Sequence, residues 1–525
     1  HKVYAAYAEA VRHTGQPTVI LAKTVKGYGM GEAGEGEMIA HQQKKMDAEQ
    51  MKKFRDRFRI PISDEAAEKA EYYHPGGDSE EIQYMHERRK ALGGYLPQRK
   101  TLATPLQVPT LDTFGGMLES SGDREMSTTM GFVRMLTLLT RDKKIGKNIV
   151  PIVPDEARTF GIDGMFRQLG IYSPAGQLYT PADAETVMYY RESEKGQILE
   201  EGICEAGAYC DWLAAATSYS THGVSMIPFY IYYSMFGYQR IGDFMWAGGD
   251  QQARGFLIGG TAGRTTLNGE GLQHEDGQSH LTMTAIPNCV CYDPTFNYEL
   301  AVIIHDGLRR MVQEQESVFY YISVMNENYH HPEMPQGVEE GIRKGLYQFD
   351  TIKPSKATKS TPAVNLLGSG TIFHEVRAAA DLLRDDWGVA STVWSATSFS
   401  ELRRDGLDCD RWNMLHPTRK RRVSWVEKCL GESDAPVIAS TDYMKTVADQ
   451  IRPFLRQRCR VLGTDGYGRS DTREALRDFF EVDRYWVTVA ALMALADEGT
   501  IEHKKVGEAI KKYNIDSEKP NPITM

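Results

Sequence analysis

The sequence predicts an α/β fold of parallel sheets flanked by helices, divided into roughly three domains. Short apolar runs alternate with helical patterns through most of the chain, which calls for parallel strands joined by right-handed crossovers. At 525 residues the chain is too long for a single core. Its composition, 41% hydrophobic and 25% charged with a mean hydropathy of -0.45, is that of a soluble globular protein.

A net charge of -10 and a pI near 5.9 argue against nucleic acid or an anionic membrane as the main partner. No apolar run reaches the roughly eighteen residues of a membrane span, and no signal-peptide pattern opens the chain. The seven cysteines are scattered and include no Cys-x-x-Cys pair, which predicts reduced thiols and a cytoplasmic protein. Cys289 and Cys291 alternate within a predicted strand, so both thiols face one side, a pattern of core packing. The chain opens on His1 and not on Met, as a fragment or a processed chain would.

In chain order, a helix is expected over Tyr4–Val11, then a buried strand over Thr18–Ala22 and a glycine-rich loop. Gly27, Gly29 and Gly31 alternate and do not form the Gly-x-Gly-x-x-Gly dinucleotide pattern. The acidic stretch that follows ends in His41 and reads equally as a surface loop or a mobile lid. Residues 44–74 are charged and helical, and a further helix is expected over Glu80–Leu92 before a linker. A helix over Met126–Thr140 then leads to an apolar strand that ends in Asp155 and Glu156. Ligand groups gather at the carboxyl ends of parallel strands, so these two acids are candidates for a site or a solvated pair in a loop.

Lys195–Ala208 carries three acids, Glu200, Glu201 and Glu205, among small and apolar residues and is expected to be a packed helix. Glycine inside a helix costs about 1 kcal/mol relative to alanine, so Gly202 and Gly207 suggest something approaching its backbone. Glu205 is the candidate catalytic carboxylate; the alternative is an amphipathic helix with solvated glutamates. The next stretch, Met226–Arg240, is expected to be a buried strand leading straight into a helix and carries five aromatics in the eight residues Phe229–Phe236. Aromatic faces of this density suit a flat heterocycle as well as a core. Further strands are expected over Gly255–Gly259, Asn288–Tyr292, Ala363–Gly370, Ala390–Ser395, Val437–Ser440 and Arg460–Gly463. The loop Arg264–Gly277, with Glu270, His274, Glu275 and Asp276, has the make-up of a polar cavity lining. The glycine turn Gly368–Gly370 before a helix has the form of an anion site or of a tight strand-to-helix turn.

Several stretches together resemble the transketolase-like thiamine diphosphate enzymes: Lys23-Thr-Val-Lys-Gly-Tyr-Gly, Asp155-Glu-Ala-Arg-Thr-Phe-Gly, Gln197–Gly207, Phe229–Arg240, His274–His280 and Leu462–Asp471. Within them, Tyr230-Ile-Tyr-Tyr-Ser-Met-Phe, Gly248–Thr261 and Leu267–Gly277 resemble the homodimeric bacterial type of pyruvate dehydrogenase component. The resemblance implies a transketolase-like fold with a transketolase C-terminal-like α/β domain. It implies decarboxylation of pyruvate on thiamine diphosphate, then reductive acetylation of the lipoyl group of a dihydrolipoyl acetyltransferase. Glu205 is implied to bond the aminopyrimidine ring nitrogen, Phe236 to stack on the pyrimidine, and Glu156, with Asp155, to lie near its amino group. Tyr233 and His274 are implied to face the pyruvate-derived adduct. His41 is implied to sit in a lid that closes over it and assists transfer to the lipoyl domains.

The sequence departs from the family in one respect. The Gly-Asp-Gly…Asn motif that holds Mg²⁺ is not found at the right spacing, so those ligands are expected upstream of His1. The chain is accordingly expected to be a carboxyl-terminal fragment. Residues 1–104 would end the diphosphate-binding domain, 105–334 form the pyrimidine-binding domain, and 335–525 the C-terminal domain, in a homodimer. A reading from a different class is a non-catalytic assembly or regulatory piece that keeps folded domains without a complete cofactor site.

Overall fold

Strands covered on both faces need apolar side chains on both, so they appear as continuous hydrophobic runs and not as alternating ones. Ile149–Val153 and Phe256–Gly260 are buried at every position, and Ile227–Tyr233 at all but its last. The computed structural model describes residues 1–43, 45–95, 99–155, 157–182 and 190–525. The chain divides into two units, His1–Pro97 and Gln98–Met525.

The first unit is helical. Its elements are Lys2–Arg12, Ala48–Phe58, Asp64–Glu68 and Glu80–Ala91, with 3₁₀ turns at Gly31–Ala33 and Met38–His41. The expected strand at Thr18–Ala22 does not form: Val19 is 81% exposed and Leu21 93%. A strand requires a neighbour for its backbone groups, and among the described residues of this unit none offers one. The glycine-rich loop, by contrast, is well anchored. Glu35 accepts hydrogen bonds from the backbone N–H of Gly29 (3.1 Å) and Gly31 (3.2 Å) and from Arg57 (2.5 Å). Gly29 lies at φ +96° with its missing Cβ 2.7 Å from the Phe58 ring, so no other residue fits there.

The second unit holds two parallel sheets. In chain order its strands are β1 (Ile149–Val153), β2 (Ile171–Tyr172), β3 (Glu192–Ser193), β4 (Leu199–Glu200), β5 (Ile227–Tyr233), β6 (Phe256–Gly260), β7 (Cys289–Tyr292), β8 (Phe319–Ser323), β9 (Tyr347–Ile352), β10 (Ala363–Gly368), β11 (Ala390–Ser395), β12 (Val437–Ser440) and β13 (Cys459–Leu462). The larger sheet has the order β4-β1-β5-β6-β8-β7 and is parallel throughout. The second has the order β13-β12-β10-β11-β9, with β9 antiparallel to β11 at one edge. The pair β2 and β3 stands apart. Cys289 and Cys291 lie in the core with their sulfurs 3.7 Å apart, and all seven cysteines are free thiols.

From β1 the chain moves outward to β4 and then crosses back over to β5 on the other side of β1. This reversal opens a crevice at the carboxyl ends of these strands, the usual place for a ligand in an open α/β sheet. The crossover is made by the helix Glu205–Ala216, pinned beneath by the buried Tyr209 and Trp212; the Trp212 indole donates to the Phe256 carbonyl (3.0 Å). The stretch expected as one helix from Lys195 is therefore strand, turn and helix. Gly202 sits in the turn at φ +81° and not within a helix.

The turn after β10 is a packed strand-to-helix turn and not an anion site. A Cβ on Gly370 would lie 2.9 Å and 3.0 Å from the two carboxylate oxygens of buried Asp293. An anion there would face a carboxylate. Among the described residues no helix is long and apolar enough to cross a membrane.

Candidate functional site

Glu205 is the first residue of its helix, where a carboxylate is favoured by the exposed N–H groups and the helix dipole. It is 9% exposed. Its Oε1 accepts a hydrogen bond from Arg240 Nη1 at 2.7 Å. Gly207, one turn in, leaves room for the Glu201 carboxylate, whose Oε2 would lie 2.9 Å from an added Cβ.

The wall facing this carboxylate comes from the end of β5 and the turn beyond it. Tyr233 closes the strand, Ser234–Phe236 forms a 3₁₀ turn, and Tyr238–Asp250 begins the next helix. The guanidinium of Arg240 lies 3.8 Å from the centroid of the Phe236 ring. A cation over an aromatic face is held by the ring quadrupole, so Arg240 ties Phe236 to Glu205. The His274 ring packs 5.0 Å from Phe236 and 4.8 Å from Tyr233, and Phe160 lies 5.4 Å from Tyr233. His274 Nδ1 is buried and has no hydrogen-bond partner among the described residues. An unpaired buried ring nitrogen costs free energy, and sites that bind polar ligands are where such groups are kept.

Four of the residues singled out in the sequence, Glu205, Tyr233, Phe236 and His274, thus converge on one wall at the sheet's crevice. Asp155 follows β1 at the same end of the sheet and is exposed. Glu156 lies outside the described residues. His41 belongs to the first unit, where it is exposed and its Nδ1 lies 3.0 Å from Lys26 Nζ.

Two residues were not recognised as part of this site from sequence. Arg240 closes the aromatic stretch four residues after Phe236, a spacing that puts two side chains on one helical face, and that spacing was the available signal. Glu200 is the second. Together with Glu201 it is expected to be solvated, yet it is half-buried at the end of β4, opposite Val153 and beside Asp155. Burial, reinforced by the Asp155 carboxylate, pushes its carboxyl up to about 7. Its Oε2 is buried and has no hydrogen-bond partner among the described residues. Glu201 is exposed as expected, but it raises Asp211, whose burial comes first, to about 6. On the far side of His274, burial and the nearby Asp442 carboxylate push Glu275 to about 9, so it is neutral at physiological pH. Among the described residues no cluster of three or more His, Cys, Asp or Glu side chains is placed to hold a metal ion.

Residues 106–332 match the family model described as the pyruvate dehydrogenase E1 component middle domain, and residues 345–483 match the transketolase-like C-terminal domain. The chain is 62% identical over 526 residues to the pyruvate dehydrogenase E1 component of Cupriavidus necator, covering 100% of this chain and 58% of the relative. It is 62% identical over 524 residues to that of Pseudomonas aeruginosa, covering 100% of this chain and 59% of the relative. For Escherichia coli K12 the identity is 58% over 524 residues, with 99% and 58% covered. The chain therefore spans less than two thirds of the length of these relatives. Among solved structures, a transketolase from Pichia stipitis aligns with a TM-score of 0.61 at 14% identity, covering 95% of this chain and 65% of that one. Campylobacter jejuni transketolase aligns at 0.58 and 15% identity, covering 94% and 65%. These two share the transketolase-like fold with this chain.

Proposed function

We infer the function of this chain from its membership of the pyruvate dehydrogenase E1 family, whose middle domain occupies residues 106–332. Its residues supply the pyrimidine side of a thiamine diphosphate site that decarboxylates pyruvate. The acetyl group then passes to a lipoyl group carried by a dihydrolipoyl acetyltransferase. The observation that carries this reading is the convergence of Glu205, Phe236, Tyr233 and His274 on one wall.

The residues present fit the cofactor. Arg240 holds a flat, N–H-bearing group between the Phe236 face and the Glu205 carboxylate. A protonated aminopyrimidine offers the same combination of a planar face and N–H donors. Glu205 and Phe236 would hold the ring. When bound, thiamine diphosphate supplies the electron sink that a 2-oxo acid needs to lose carbon dioxide.

The chain's own residues do the rest. Glu205 holds or releases a proton at its carboxyl oxygen towards the ring nitrogen, and its burial under an apolar wall keeps water from competing. Tyr233 Oη and His274 Nδ1, which has no hydrogen-bond partner among the described residues, would orient the keto oxygen and carboxylate of the substrate. Phe160, Phe236 and the buried floor of β5 and β6 would exclude water from the reacting centre. The transfer to the lipoyl group is assigned to His41, whose loop resembles the one the family uses for that step. Asp155, at the carboxyl end of β1, would serve the ring's amino group, and the family resemblance assigns the same role to Glu156. The reading includes a homodimer and Mg²⁺, the metal that would hold the cofactor's diphosphate.

The test is turnover by the complete polypeptide with Mg²⁺ and thiamine diphosphate, comparing pyruvate with 2-oxoglutarate and a ketose phosphate as substrates. Pyruvate is expected to be decarboxylated in preference. Turnover of either alternative without pyruvate would overturn the reading.

A further inference from the structure

The loop that carries His274 is fastened from an unexpected direction. Arg264, 5% exposed, sits behind it at the end of the polar loop. Its Nε donates to the carbonyl of Glu275, the residue next to His274, at 3.4 Å. Its Nη1 donates to the carbonyls of Thr464 and Gly466 (2.6 Å for the latter), in the turn that follows β13 of the second sheet. Its Nη2 donates to Gln278 Oε1 at 3.1 Å. Gln278 in turn donates through Nε2 to Met235 Sδ (3.3 Å) and Gln239 Oε1 (3.1 Å). Met235 lies between Tyr233 and Phe236, and Gln239 precedes Arg240.

One guanidinium therefore joins three segments: the His274 loop, the Tyr233–Arg240 segment, and a turn of the C-terminal sheet. Two glycines make the junction possible. A Cβ on Gly277 would lie 2.3 Å from the Arg264 Cζ, and one on Gly468 would lie 2.4 Å from Glu275 Cβ and 2.6 Å from the Leu272 carbonyl. The fork geometry is what matters, because only arginine offers five donors in a fixed plane.

We propose that Arg264 is a positioning residue that sets His274 and the Tyr233–Phe236 wall relative to one another and uses the Thr464–Gly468 turn as its anchor. The C-terminal domain is thereby coupled to the active centre through backbone carbonyls. The kinetic consequence rests on the function proposed above; the mechanical coupling does not.

The test uses the complete enzyme with Arg264→Lys, Gln278→Leu and Gly468→Ala, each confirmed as folded by thermal melting. Hydrogen exchange is read in the peptides covering 234–240 and 270–278. Arg264→Lys is expected to speed exchange in both, and Gln278→Leu more in 234–240 than in 270–278, because it frees Met235 and Gln239 while the Arg264 bonds to the Glu275, Thr464 and Gly466 carbonyls remain. Cofactor affinity, which depends on Glu205 and Phe236, is expected to stay within about twofold, while kcat for pyruvate falls about 100-fold, as displacement of a catalytic group by about 1 Å does. Unchanged exchange in both peptides overturns the coupling, and normal kcat with raised exchange overturns the positioning role. A loss of cofactor affinity equal to the loss of kcat marks Arg264 as merely structural and overturns it too. If Arg264→Lys does not fold, Gly468→Ala and Gln278→Leu decide by the same criteria. Failure of the functional reading looks different: the wild-type enzyme leaves pyruvate untouched while the exchange coupling persists.

Discussion

Arg240 stands 2.7 Å from Glu205 and 3.8 Å above Phe236, and so occupies the slot that a stacked, hydrogen-bonded ring would fill. Its side chain is 46% exposed, so the ion pair is worth little and yields readily. Arg240→Met in the complete protein is expected to tighten binding of thiamine diphosphate with Mg²⁺ by about three- to tenfold, the size of one lost half-exposed ion pair. A cofactor titration followed by fluorescence quenching measures this. Weaker binding would show that Arg240 holds the ring and does not merely precede it.

Glu205 carries the heaviest chemical assignment. Glu205→Gln keeps shape and burial but removes the exchangeable proton. Decarboxylation is expected to fall by about 10²- to 10⁴-fold, the usual contribution of general acid–base catalysis, with an unaltered melting temperature. Steady-state rates with an artificial electron acceptor give the answer, and near-wild-type turnover would remove Glu205 from the mechanism.

His41 lies in a loop built around Glu35, with Lys26 beside its ring. His41→Ala leaves the anchoring bonds of Glu35 intact. The expected outcome is that carbon dioxide release survives while acetylation of a lipoyl domain drops at least about tenfold, consistent with an effect confined to transfer. Following both steps separately distinguishes this from a binding defect, which would lower the two together.

Glu200 makes stability depend on pH in a predictable sense. Its folded-state value of about 7 lies above the ordinary 4.5, so the folded protein holds this proton more tightly than the unfolded chain. The favourable contribution is complete below about 4.5 and is lost as pH rises through about 7. Glu200→Gln, which cannot ionise, is expected to raise the melting temperature above pH 7 and change it little at pH 4.5. Melting curves at the two pH values check this; a gain of equal size at both would point to packing and not to charge.

The antiparallel edge strand β9 and the core strand β8 show where pattern reading fell short. Phe319–Ser323 is separated from the preceding helical turn by Glu314–Val318, which contains no Gly or Pro, and the apolar residues of Tyr347–Ile352 are interrupted by Gln348, Asp350 and Thr351. Ala390–Ser395 and Val437–Ser440, bounded by turns and rich in apolar residues, were legible to the residue. Thr18–Ala22 has the same composition as those strands and forms none, because pairing is a property of two segments and not of one.

At the site, the sequence alone determined the chemistry available: the carboxylate Glu205, the aromatic run to Phe236, and a histidine in a glycine-rich loop. It also determined the parallel α/β architecture, since buried strands alternating with helices have few other solutions. Only the tertiary structure decided that Glu205 opens its helix, that Arg240, 35 residues away, is its partner, and that Glu200 is withdrawn from water. It alone revealed that Arg264 fastens the His274 loop to carbonyls some 200 residues further on. The physical reason is the same in each case. Local preference is written in a residue and its chain neighbours, whereas the burial of a charge and the choice of its partner depend on which distant segments the sheets bring together.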